Sequence, residues 1–336
     1  MSDQNTWFIK ELHGKIPQGM PADDYLHPQV NAEVLDEAST ETQGHLFSVP
    51  EAGITCMGYI WHHPRLNLLT GGCMAWQGKK TFMLGCELLD MRSFMHDRAL
   101  ANDIGDYQLV TGYRAQVLEP NQRFRMSYED AARGNAFDVE LNAIMPLAMA
   151  TNGRHFEQAM RAKGWITLRG QRYAVDSYSI RDRTWGEARS EAIVPTPPIG
   201  WLNGIFGDDF AFSCTVIDHP ELEPIWKAQF KIPAEKTLLS GWVWRDGEIV
   251  AITGARKKTH YDTRTLIPQR VDFAFTDARG RAYEATATAV NAAPTNTWMN
   301  LHAPVFLARW ECNGRQGWGE SQDIQWNDFV QAHLQA

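Results

Sequence analysis

Residues 154–189 read RHFEQAMRAKGWITLRGQRYAVDSYSIRDRTWGEAR, and this stretch decides the fold. Ile166 and Leu168 run into a turn at Gly170, and Tyr173, Val175 and Tyr178 follow it. Apolar residues at period two around a turn glycine spell an antiparallel strand pair. The preceding residues 153–164, around His155-Phe156-Glu157-Gln158 and ending at Gly164, are expected to form a short helix or a linker. The stretch ends on Arg181-Asp182-Arg183-Thr184-Trp185-Gly186, a carboxylate between two guanidiniums. If residues 178–185 are extended, Tyr178, Ile180 and Asp182 share one face, and Arg181, Arg183 and Trp185 share the other. Asp182 and Trp185 then meet only across a bulge or turn of the kind Gly186 permits.

The same alternation spreads outward. Upstream, period two begins near Gly44; Cys73 to Gln77 and Thr81 to Cys86 flank a turn at Gly78. Tyr107 to Leu118 precedes the turn Glu119-Pro120-Asn121-Gln122, and Phe124, Met126 and Tyr128, then Phe137, Val139 and Leu141, alternate with polar residues. Downstream, Asp246-Gly247 links Trp242–Arg245 to Glu248–Ile252, a two-residue hairpin signal. Val271 to Phe275 turns at Ala278-Arg279-Gly280 towards Tyr283–Val290, and Val305–Cys312 turns at Asn313-Gly314. Besides the helix or linker at 153–164, helix is expected at Asn31–Ala38 and Trp326–Gln335. The fold class is all-β and mostly antiparallel, with few short helices. Two sheets of this size avoid exposed edges by curling into barrels or deep sandwiches. The expected division is an N-terminal extension (1–45), a first β-lobe (46–153) and a second β-lobe (154–336) with the C-terminal helix.

Composition bounds the function. The 336 residues are 44% hydrophobic and 21% charged, with 13 Trp, 15 Phe and 9 Tyr, ample for cores and apolar cavities. A net charge of −8 without a basic stripe argues against nucleic acid. No window approaches the roughly 20 apolar residues of a membrane span, and no apolar signal core opens the chain, so a cytoplasmic protein without integral membrane association is expected. Cys56, Cys73, Cys86, Cys214 and Cys312 are odd in number and lack a CxxC pair, which suits reduced, mostly buried thiols. There is no dinucleotide fingerprint, phosphate loop, GxSxG elbow or HExxH. No cofactor and no metal are expected; a homodimer is compatible with the sequence but not required by it.

The order and spacing of His155, Glu157, Gln158, Gly164, Gly170, Tyr173, Arg181, Asp182, Trp185, Gly186 and Arg189 carry a resemblance. The chain resembles the two-lobed, lipocalin-like (calycin) proteins related to bacterial carotenoid hydratases, tocopherol cyclase-like proteins and fungal Diels–Alderases. The likeness extends over residues 45–325, including Leu118-Glu119-Pro120 and Gly317-Trp318-Gly319-Glu320. It implies two calycin-like lobes with an apolar cavity. It also implies chemistry of the kind known there: water addition to a polyene, ring closure or cycloaddition. The chain departs from the hydratases in lacking a membrane-docking segment, which speaks against a carotenoid substrate.

Two readings of Asp182 follow. In an aromatic cavity, burial raises its proton affinity, and it serves as proton donor to an alkene, ether or hydroxyl leaving group. Otherwise it pairs with Arg181, Arg183 or Arg189 as a structural clip. In the catalytic reading His155 or Glu320 is the partner and base, and Tyr178, Trp185, Trp298, Tyr59 and Trp61 wall the substrate. His155 and Glu157, two apart, share a face in a strand and also suit a purely structural pair. The ligand in either case is a hydrophobic small molecule. The competitors are an enzyme for hydration, dehydration, cyclisation or isomerisation, a carrier that binds without chemistry, and a scaffold with filled lobes.

Overall fold

The computed structural model describes residues 19–27, 39–101, 103–150, 153–188, 198–222, 233–295 and 301–335. Eleven strands build a first sheet: β1 (Ser39–Val49), β2 (Ile54–His63), β3 (Leu68–Gln77), β4 (Leu88–His96), β5 (Asp106–Gln108), β6 (Arg114–Glu119), β7 (Arg123–Asp130), β8 (Asn135–Ala143), β9 (Ala148–Met149), β10 (His155–Leu168) and β11 (Gln171–Ala188). Nine build the second: β12 (Ile199–Ile205), β13 (Phe210–Ile217), β14 (Leu238–Arg245), β15 (Glu248–Tyr261), β16 (Pro268–Asp277), β17 (Ala282–Pro294), β18 (Leu301–His302), β19 (Pro304–Cys312) and β20 (Arg315–Trp326). Helix α1 (Asn327–Gln335) follows, within one residue of its expected start. The other expected helix, Asn31–Ala38, lies outside the described residues.

The fold is all-β, and the strands of both sheets pair antiparallel. The first sheet runs β4-β3-β2-β1-β11-β10-β8-β7-β6-β5; in the second, pairing of β12 with β20 closes the strands into a barrel. Turn chemistry sets the hairpins. Asp246-Gly247 and Asn313-Gly314 have φ of 51° and 85°, and 47° and 80°. Both residues of each turn are left-handed, as the twist of a two-residue hairpin requires.

Four expectations change. Residues 155–164 are strand: β10 pairs with β11 along its whole length and with β8 on its other side. Thr81–Cys86 is no strand but holds a short 3-10 turn at Met83–Gly85 with Phe82 and Leu84 exposed, because no neighbouring strand takes up those apolar side chains. The boundary at 154 also moves. Strands β10 and β11 hydrogen-bond into the first sheet, so the first compact unit takes the described residues of 17–77 and 84–190, and the second takes 78–83 and those beyond 190. The segment before residue 46 is likewise no mere extension, since β1 starts at Ser39.

Each unit has its own core. Phe47, Tyr107, Tyr113, Phe124 and Phe137 meet inside the first. Aromatic side chains cluster in the core of the second. Phe212 lies 5.0 to 6.0 Å from the rings of Phe206, Phe273, Phe275 and Trp310. Phe206, Phe212, Phe273, Phe275 and Trp310 belong to one buried cluster of that unit. The second interior also buries Lys257, whose Nζ is 2.8 Å from Asp218 and 3.4 Å from Asp323. Burial acts to lower the Lys257 ammonium, but the two carboxylates outweigh it and raise it, while burial raises Asp323. Tyr261 donates to Asp323 at 2.8 Å and Lys257 to Thr259 at 2.9 Å. All five cysteines are free and buried.

His45, on the inner face of β1, is 2% exposed. Burial, then the charges of Arg181 and Arg183, pull its imidazole from 6.5 down to about 3. The folded protein therefore keeps His45 neutral where the unfolded chain protonates it. Stability from this group is full above about pH 6.5 and falls as pH drops towards 3, at about 1.4 kcal/mol per unit. Urea unfolding at pH 7 and pH 5 should show a smaller loss on acidification in His45→Phe than in the wild type.

Candidate active site

Alternation along β11 divides the Arg181–Trp185 run between two faces of the first sheet. The inner face takes the guanidiniums. Arg181 donates to Asp24 Oδ1 at 2.6 Å and to Gln158 Oε1 at 2.8 Å, with its guanidinium 3.7 Å from the centre of the Phe124 ring. Arg183 donates to Glu41 Oε2 at 3.0 Å and to the carbonyls of Asp23 and Tyr25 at 2.9 and 3.0 Å. Burial acts to raise the Glu41 carboxyl, yet the His27 hydrogen bond and Arg183 offset it and hold the group below the usual range. The hydrogen bonds of Arg181 and Arg183 thus go to Asp24 and Glu41, on the face opposite Asp182; Arg189, the third arginine expected as its partner, lies outside the described residues. Trp185 is also inner, stacked on His27 at 3.8 Å and packed with Leu147, Met149 and Phe156. It walls that interior and not the space around Asp182.

The outer face gathers the other predicted residues of this unit. Register places Tyr59, Gly44, Asp182 and Glu157 in one row across β2, β1, β11 and β10. Trp61, Thr42, Thr184 and His155 form the next row. Cross-strand partners point the same way, with Cβ atoms about 4.5–5.5 Å apart. Asp182 lies over Gly44: a Cβ there would come 2.5 Å from Asp182 Oδ1 and 3.7 Å from the Tyr59 ring. His155 Nδ1 is 2.8 Å from Thr184 Oγ1, and its Nε2 is 3.5 Å from Glu157 Oε1. Glu157 is 7% exposed and Asp182 half-buried. Thr42 is 1% exposed, and its hydroxyl has no hydrogen-bond partner. Tyr178 lies further along the same face, with the Arg161 guanidinium 4.6 Å from its ring centre.

Asp182, His155, Tyr59 and Trp61 therefore share one face of the sheet, in two adjacent rows. Glu157 was considered only beside His155, while Thr42, Gly44 and Thr184 carry no sequence signal beyond their period-two spacing. Glu320 belongs to the second unit. It is fully buried on β20 opposite Leu307 of β19, and its backbone carbonyl accepts from Asn203 at 2.9 Å. Trp298 lies outside the described residues. A groove of about 600 Å³ on the second unit is lined by Arg256, Asp272, Glu284 and Glu311, and holds none of the predicted residues. Among the described residues no three His, Cys, Asp or Glu side chains are placed to hold a metal ion, and no helix is long and apolar enough to cross a membrane.

A carboxylate near Nε2 and a hydroxyl at Nδ1 select one tautomer of His155, protonated at Nε2 and accepting from Thr184. Nitrogen NMR of the imidazole is expected to show that form, and Thr184→Val should redistribute the proton between the two nitrogens. A dominant Nδ1–H form in the wild type would contradict the assignment.

Comparison with known proteins places this architecture. The model of a domain of unknown function, DUF7064, matches residues 20–330. No curated protein matches the chain. Among solved structures it is similar to kievitone hydratase from Nectria haematococca, with a TM-score of 0.55 and 10% identity over 92% of this chain and 94% of that one. It is similar also to CghA, at 0.51 and 11% over 88% and 90%. A putative AttH from Nitrosomonas europaea gives 0.52 and 13% over 90% and 100%. At such identities the likeness is one of fold, the lipocalin-like architecture with two β units that the 154–189 motif implies. The chain belongs to the DUF7064 family.

Proposed function

We propose that this protein is a cofactor-independent enzyme acting on a medium-sized hydrophobic molecule, a terpenoid, polyketide, steroid or aromatic ether. The reaction is acid-assisted hydration, dehydration, cyclisation or isomerisation. The observation that carries the proposal is the outer face of β2-β1-β11-β10. On that face a carboxyl (Asp182) and an imidazole (His155) share two adjacent rows with two large aromatic residues (Tyr59 and Trp61), which supports the reading. The fold shared with kievitone hydratase supports the reaction class as analogy only.

In this proposal Asp182 gives its proton to an alkene carbon or a hydroxyl leaving group. The cation left behind is stabilised by the faces of Tyr59 and Trp61, by about 0.5–2 kcal/mol each. Addition of water, with its extra proton returned to the Asp182 carboxylate, completes hydration. Attack by a second double bond forms a new cation, and loss of its proton to His155 completes cyclisation. Proton loss to His155 from the first cation completes isomerisation or, after departure of water, dehydration.

Asp182→Asn is expected to lower turnover by about 10²–10⁴-fold while fold and ligand binding persist. Mass spectrometry can follow gain or loss of one water, and chromatography isomeric products, across a panel of the four substrate classes. Unchanged turnover in a substrate-active protein would end the assignment, and binding without turnover in the wild type would favour a carrier. Gly44→Ala would drive a Cβ onto the Asp182 carboxyl and displace the acid. Its kcat should fall about 10²-fold with less change in KM, as for a misplaced catalytic group.

A further inference from the structure

The inner face of the first sheet holds several buried polar atoms with no partner on the protein. His45 is 2% exposed, and neither of its ring nitrogens makes a hydrogen bond. Arg181 and Arg183 are fully buried, and Arg181 Nη2 and Arg183 Nε are unpartnered although their other nitrogens are engaged. The buried Tyr113 hydroxyl makes no hydrogen bond either; its ring is 6.2 Å from that of Tyr107, whose hydroxyl donates to Gln43 at 2.9 Å. These groups are neighbours. Arg181 on β11 and Gly58 on β2 are the cross-strand partners of His45, and the Tyr113 hydroxyl stands where a Cβ on Gly58 would begin. The Phe124 ring lies under both cation and imidazole, 3.7 Å from the Arg181 guanidinium and 5.9 Å from the His45 ring. Arg183 follows in the next row, opposite Gln43. Folded proteins leave few such groups unpaired, so a cluster of them asks for a ligand.

We propose that this inner patch binds the carboxylate of a small organic acid, with Arg181, Arg183, His45 and Tyr113 as its donors. It lies across the sheet from the Asp182 row and stands whether or not that row is catalytic. Hydrogen-bond and charge counts select the ligand. The unpartnered atoms of the arginines and the tyrosine are donors, so the ligand brings acceptor oxygens. The two guanidiniums are matched one for one by Asp24 and Glu41, and burial with the arginine charges keeps His45 neutral. A neutral imidazole has one donor and one acceptor nitrogen. A carboxylate that arrives with one proton from solution satisfies both. The proton goes to the acceptor nitrogen, the imidazolium then offers two donors, and the patch stays electrically balanced. A carbonyl compound would leave the acceptor nitrogen unsatisfied, and an anion without a proton would leave a buried charge uncompensated.

The other charged and titratable groups of that interior, among the described residues, come from every side. Arg181 and Arg183 stand on β11, Glu41 on β1, Cys56 on β2, Cys73 on β3 and Tyr107 on β5; Tyr113 lies in the turn before β6, and Asp24 in the 3-10 turn. Asp90 of β4 is the register partner of Cys73 and accepts from Tyr128 at 2.9 Å and Arg133 at 3.2 Å. Burial pushes both thiols and both phenols up, away from neutrality, and Glu41 is held low. The proton taken up with the acid is therefore assigned to His45.

The test titrates the full chain with sodium formate, with sodium chloride at equal ionic strength as the control. Formate is expected to bind saturably and to move the His45 nitrogen resonances to the imidazolium form, and chloride to do neither. Calorimetry in buffers of different ionisation heat should read the uptake of about one proton per formate bound. The bound anion favours the charged imidazole, so affinity should rise as pH falls, by up to about tenfold per unit. Tyr113→Phe removes one donor and keeps the ring; it should weaken formate about tenfold. His45→Phe should abolish the proton uptake. Formate binding that leaves the His45 signals unchanged is an adventitious ion only and overturns the proposal. So does the same response to chloride, binding without proton uptake, or no saturable binding at all. These wild-type measurements decide the matter even where a variant does not fold.

Discussion

A strand sends successive side chains to opposite faces, and the arrangement around β11 follows from that constraint. Arg181, Arg183 and Trp185 turn inward, Asp182 and Thr184 outward. Were this segment helical, the two guanidiniums and the carboxylate would cluster and neutralise one another. As a strand, the charges separate across the thickness of the sheet. The inner arginines then need other anions, and Asp24 and Glu41 supply them. Asp182 stands on the other face, over Gly44 and on the side of the Tyr59 ring.

The inner pairs are costly to form and more costly to break. Taking a guanidinium and a carboxylate out of water carries a penalty of several kcal/mol per ion, which good geometry and extra hydrogen bonds repay in part. Gln158 and the carbonyls of Asp23 and Tyr25 provide those bonds. Such pairs specify an arrangement more than they stabilise it. They tie the 3-10 turn Pro21–Asp24 to β11 and thereby hold the register of the strand that carries Asp182. The second unit uses the same device, with Lys257 between Asp218 and Asp323 joining β15 to β20 inside the barrel.

Much of this was legible beforehand because it is local. Turn residues at Asp246-Gly247 and Asn313-Gly314, and alternation at Phe124–Tyr128, depend on neighbours within a few positions. So does the division of residues 178–185 between two faces. The strand at 155–164 was missed because both of its faces are largely buried, so apolar and small residues run together without alternating. The boundary at 154 failed for another reason: β1 and β11 are adjacent in the sheet though more than a hundred residues separate them in the chain. Trp185 was given a wall position on its aromatic character alone, which does not reveal the face it occupies.

What the chain's order of residues determined by itself is the β class, the hairpins and the opposed facing of Asp182 and its arginines, since backbone sterics and side-chain period set these over short spans. Tertiary structure alone decided that Glu157 lies beside Asp182, that Gly44 makes room for its carboxyl, that Tyr59 and Trp61 reach the same face, and that Asp24 and Glu41 receive the arginines. Those are matters of which strands become neighbours. That choice is made by the burial of whole faces and the closure of whole sheets, for which no short segment carries a signature.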